Sequence, residues 1–157
     1  MRNRFIIAIV MAASVLLPAA LSGCAARPNF VPGLGRVTPI DGEINVATIP
    51  AFGWESEEGI TDLYFQLYRA DAFDYETKTP TGTMLLQLTG FSVGRNTVSL
   101  QNDAELQRRY AAVGPFVDKG LSTLAYNSDY VWLLIWKKGD KVFLKTFRFH
   151  TIAKTTR

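Results

Sequence analysis

Side chains able to do chemistry are few in this chain. Its 157 residues include one cysteine, Cys24, and one histidine, His150. A disulfide framework or a Cys-rich zinc site needs several thiols, so both are excluded. A Ser-His-Asp triad or a His-based metal centre would have to be built on His150. That residue stands between Phe149 and Thr151 with no nucleophile motif beside it, and reads as a structural strand histidine. There is no phosphate loop and no His cluster. Gly33-Leu34-Gly35 has no strand before it and lacks a third glycine, so it reads as linker rather than as a dinucleotide loop. Acids are plentiful but loosely placed. Glu55, Glu57, Glu58 and Asp62, or Asp71, Asp74 and Glu76, offer oxygens to calcium. Calcium takes about six to eight oxygens in defined geometry, and no recognised loop pattern is present. These segments read as solvated acidic loops. A glycosidase needs two carboxylates across one cleft, and nothing here places them so. The expectation is a non-catalytic protein without a metal or dissociable cofactor.

The one thiol lies in a telling place. Arg2 and Arg4 precede residues 5–21 (FIIAIVMAASVLLPAAL), which carry no charge. Seventeen helical residues span only about 26 Å, short of the roughly 30 Å hydrocarbon core. Pro18 would break the helix near its end. A positive start, an apolar run and small residues after it make a secretory signal. Leu21-Ser22-Gly23-Cys24 resembles the lipobox of bacterial lipoproteins. The resemblance implies diacylglyceryl transfer to the Cys24 thiol, cleavage before Cys24, and a fatty acid such as palmitate on the new terminus. Two or three chains hold a membrane firmly where one does not. Ala25 follows, where an Asp would imply inner-membrane retention, so the resemblance implies the outer membrane of a bacterial cell envelope, on a face left open.

Charge gives little support to nucleic-acid binding. The whole chain carries 17 Lys+Arg against 14 Asp+Glu. Cleavage before Cys24 removes Arg2 and Arg4 and no acid, leaving 15 bases against 14 acids. A strongly basic face is then missing. The distribution is uneven, however. Residues 41–76 hold nine acids and one base, and residues 137–157 hold seven bases and one acid.

The elements that must position any site follow from apolar periodicity. Residues 24–37 comprise the lipidated Cys and a Pro- and Gly-rich flexible tether. From Ile40 onward the apolar period is mostly two, and strands are expected over 43–48, 52–54, 62–69, 83–89, 96–100, 129–137 and 141–151. Lys138-Gly139-Asp140 between the last two is a hairpin signal. Asn102-Asp103 can cap a short helix over about 102–113, which Gly114-Pro115 ends. The division is therefore a signal helix over 1–23, the tether over 24–37, a β-sandwich over 38–152 with a helical insertion, and a tail over 153–157.

Leu124-x5-Tyr130 followed by Val131-Trp132-Leu133-Leu134 resembles the tyrosine corner and sixth strand of fibronectin type III and related immunoglobulin-like domains. Pro50-Ala51-Phe52-Gly53-Trp54 is similar to the second strand, with its core Trp, and residues 63–68 (LYFQLY) to the third. Pro39-Ile40-Asp41-Gly42 is similar to the first-strand entry, and Phe147-Arg148-Phe149 to the last strand. The resemblance implies an antiparallel sandwich whose corner Tyr bonds backward to the chain. Residues 101–120 exceed the usual crossover, and Tyr126 stands where that family has Pro.

Alternation then assigns faces. With Leu63 and Tyr130 and their partners inward, Tyr64, Tyr68, Val131, Leu133 and Ile135 form an apolar, aromatic outer face. That face is the candidate interaction surface, unless residues 101–120 cover it. The functional expectation is a membrane-anchored binding or assembly module, its partner an envelope protein or a glycan. The alternative is a surface carbohydrate-binding or adhesion module, with Tyr64 and Tyr68 stacking on sugar rings.

Overall fold

Strict alternation over 129–151 builds the centre of the molecule. In the computed structural model, which describes residues 33–100 and 121–155, the strands β9 (Asp129–Lys138) and β10 (Lys141–Thr151) form a long hairpin. Gly139 opens its two-residue turn at φ +59°, a conformation that such turns reserve for glycine. The other strands are β1 (Leu34–Thr38), β2 (Glu43–Val46), β3 (Ala51–Ser56), β4 (Ile60–Arg69), β5 (Phe73–Asp74), β6 (Thr79–Pro80), β7 (Met84–Leu88) and β8 (Gly94–Ser99). A three-stranded sheet has the order β1-β3-β8, a five-stranded sheet the order β2-β10-β9-β4-β7, and β5-β6 make a small ribbon.

The two larger sheets pack face to face as a β-sandwich. Phe52 and Trp54 from β3 meet Phe65 from β4 and Trp132 from β9, and all four side chains are buried. Phe52 lies edge-on to Phe65 at 5.1 Å and to Trp132 at 5.5 Å, the arrangement that ring quadrupoles favour. Trp132 stacks on Phe147 at 4.4 Å, and its Nε1–H donates to the Pro39 carbonyl at 3.2 Å. One aromatic cluster thus ties β3, β4, β9, β10 and the β1–β2 connection together.

The corner before β9 is closed by polar side chains. The Tyr130 hydroxyl accepts from the Ala125 N–H at 2.8 Å. The buried Thr151 hydroxyl donates to the Ala125 carbonyl at 2.7 Å and accepts from the Ser128 N–H at 3.0 Å. Tyr130→Phe is expected to lower the unfolding free energy by roughly 1–2 kcal/mol, since it removes one bond and keeps the ring. Urea denaturation followed by far-ultraviolet dichroism checks this.

Two sequence expectations need correction. The tether over 24–37 overlaps β1, in which Leu34 is buried and Gly35 pairs with Glu55. The sandwich therefore begins before residue 38. Its Gly-rich composition belongs to a bulged edge strand: the register shifts between Gly35 and Thr38, and Arg36 sits at φ +46°. Gly33 is needed for close approach, because a Cβ there would meet Ile60 Cδ1 at 3.2 Å. Nor is the sandwich purely antiparallel. β2 pairs with β10 in parallel, since the chain crosses between the sheets over 39–42 and continues along the β10 edge. The expected helix over 102–113, the signal helix and Cys24 lie outside the described residues.

Candidate functional site

The outer face of the five-stranded sheet carries the five residues singled out by alternation. Tyr64 is opposite Ile135 and Tyr68 opposite Val131, while Leu133 is opposite Gln66. The structure brings all five onto one face, as their periodicity requires. It does not leave that face open. Tyr68 is only 2% exposed, and Val131 and Leu133 are buried as well. The cause is the connection from β4 to β7. Residues 70–83 fold back as a strap, and Phe73, Tyr75 and Met84 join Tyr68, Val131, Leu133 and Ile135 in a second apolar cluster outside the main core. Phe73 packs on Tyr68 at 5.3 Å. The candidate interaction face is thereby reduced to Tyr64, at 36% exposure, and the half-buried Ile135. Leu144, opposite Ile135 on β10, extends this strip.

Polar contacts hold the strap down. The Tyr75 hydroxyl donates to Asp41 Oδ1 at 2.7 Å, and the same oxygen accepts from the Arg148 N–H at 2.9 Å. Burial, then the bond to Asp41, pushes the Tyr75 hydroxyl pKa above its ordinary value. Burial likewise raises that of Tyr68, whose hydroxyl donates to Gln66 Oε1 at 3.1 Å. Gln66 donates in turn to Gln87 Oε1 at 2.7 Å. Asp74 accepts from the N–H groups of Thr77 and Glu76, so it closes a turn. Those bonds, with Thr77 the main partner, hold its carboxyl below the usual range. Phe73, Tyr75 and Asp41 were not legible as partners of the face. The available signal was the pair of aromatics set among the acids of 71–76.

His150 does not stand alone. Its Nδ1 lies 3.0 Å from Asp129 Oδ1 and its Nε2 3.2 Å from Asn127 Oδ1. The bond to His150 lowers the Asp129 pKa; partial burial opposes this and the Arg148 charge, 3.4 Å away, assists. A His–Asp pair can move protons, and what its second nitrogen faces decides what it could act on. Asn127 occupies that position, and the Ser128 hydroxyl donates to the Tyr126 carbonyl.

The acidic residues of the β3–β4 turn are engaged by lysines. Lys137 reaches Asp62 at 2.9 Å and Lys138 reaches Glu57 at 3.2 Å, joining the β3–β4 turn to the β9–β10 turn. The Asp62 bond raises the Lys137 pKa. Exposed pairs of this kind contribute only about 0–1 kcal/mol each. Among the described residues, no group of three or more His, Cys, Asp or Glu side chains could hold a metal ion. Among them too, no helix is long and apolar enough to cross a membrane. No protein-family model matches the chain, and no curated protein matches it in sequence.

Proposed function

We propose that the chain is a bacterial envelope lipoprotein whose immunoglobulin-like sandwich, related to fibronectin type III domains, serves as a non-catalytic binding or assembly module. The observation that carries the reading is Leu21-Ser22-Gly23-Cys24 at the end of an uncharged apolar run, nine residues ahead of the sandwich at Gly33. The strand order and the backward bond of Tyr130 support the family of the sandwich. Lipid on Cys24 confines the domain to one membrane and raises its local concentration for partners there. The contact strip runs from Tyr64 through Ile135 to Leu144. A sugar platform built on two rings is not available, because Tyr68 lies beneath Phe73.

Metabolic labelling with palmitate tests the anchor. The natural chain is expected to carry label and to run at the size of the form cut before Cys24. Cys24→Ser is expected to lose both the label and the cleavage. A labelled and cleaved serine variant would overturn the reading.

A further inference from the structure

We propose that one end of the sandwich rests on the lipid surface: the end bearing the β3–β4 turn, the β7–β8 loop and the β9–β10 turn. The inference rests on the lipoprotein reading and adds an orientation to it. Its basis is where the described chain begins. The Gly33 carbonyl accepts from the Glu57 N–H at 3.0 Å. A Cβ on Gly33 would lie 3.4 Å from Trp136 Nε1. Ile60 pairs with Lys138, and Gly94 pairs with Ser56, so all three connections gather at this end. The segment leading to Cys24 therefore enters here.

Lengths decide what that entry permits. Gly33 stands nine positions after Cys24, a reach of about 30 Å when fully extended. β9 has ten residues, so the sandwich is about 30 Å from end to end. Standing the domain on its other end would need a tether stretched to its limit along the whole side. At any shorter span, the Gly33 end is the one held nearer the membrane.

The chemistry of this end suits a bilayer surface. Val93, on the β7–β8 loop, is 52% exposed, and Val142, on β10 next to the β9–β10 turn, is 64% exposed. The charges at this end include the pairs Arg36–Glu55, Lys137–Asp62 and Lys138–Glu57, and Glu58, Arg95, Asp140 and Lys141 add two of each sign. This end therefore meets lipid without a field of one sign, and the tether rather than charge attraction sets the orientation. The opposite end carries Tyr126, Asp129 and His150 and points away from the membrane.

Fluorescent labelling of the lipidated protein tests the orientation. The Cys24 sulfur is consumed by its lipid thioether, so Val142→Cys and Tyr126→Cys each present one reactive thiol at an exposed position. Each labelled protein is placed in phosphatidylethanolamine–phosphatidylglycerol vesicles containing a nitroxide-headgroup lipid. Its intact mass is measured first. The expected result is loss of fluorescence at 142 and unchanged fluorescence at 126. Equal quenching at both positions on a lipidated chain would overturn the orientation alone. A chain whose mass shows no lipid would overturn the orientation together with the lipoprotein reading.

Discussion

Trp132→Ala is expected to lower the unfolding free energy by about 4–5 kcal/mol, the largest loss from any single side chain of the core. The indole is fully buried and touches Phe52, Trp54, Phe65 and Phe147, so both sheets lose packing at once. The surrounding rings are held by their own strands and can collapse into the space only partly. The Pro39 carbonyl also loses its donor in a buried setting, which is part of the cost. Domains of this size have about 5–15 kcal/mol in total, so the loss takes from about a third to nearly all of it. Urea titration followed by far-ultraviolet dichroism measures the loss. Trp132→Phe separates the two contributions. It keeps a ring and removes the donor, and is expected to cost roughly half as much. A loss below about 1 kcal/mol for Trp132→Ala would mean that the two sheets do not depend on this ring.

Phe73→Ala is expected to release the strap, at a cost of about 3 kcal/mol. Phe73 is the main apolar anchor of residues 70–83, and Tyr75 adds the bond to Asp41. Without the ring, the outer surfaces of Tyr68, Val131 and Leu133 become reachable by water. The readouts differ from those of a core variant. Binding of a hydrophobic dye should rise, and amides of 73–82 should exchange faster while those of β9 and β10 keep their protection. Tyr75→Phe should give a milder form of the same pattern, at about 0.5–1.5 kcal/mol. If Phe73→Ala accelerated exchange equally in β9 and β10, the strap would be part of the core rather than a cover laid on it.

These two variants mark the boundary between what sequence makes plain and what it does not. Tyr130, Trp132, Leu134 and Trp136 alternate with Val131, Leu133 and Ile135, and the structure sends the first set to the inter-sheet core. Side chains two apart on a strand must share a face, so this division follows from covalent geometry. The hairpin at Gly139-Asp140 followed from local turn chemistry in the same way. The ion pairs that join the acidic β3–β4 turn to Lys137 and Lys138 depend instead on β4 and β9 being neighbours in the sheet.

What alternation cannot state is what lies against each face. Tyr68 and Tyr64 are equivalent by period, yet one is buried and the other is open. The difference arises because the β4–β7 connection passes over Tyr68 and stops short of Tyr64. Residues 71–76 looked like a solvated acidic loop because Asp71 and Glu76 do face water, while Phe73 turns inward. β1 was hidden for a related reason. Its glycines and its left-handed Arg36 are loop signals locally, and only pairing with β3 makes them a bulged strand. Sequence alone determined the long strands and their inward faces. The tertiary structure decided which outer surfaces stay open and which end of the sandwich receives the tether, because both depend on contacts between segments far apart in the chain.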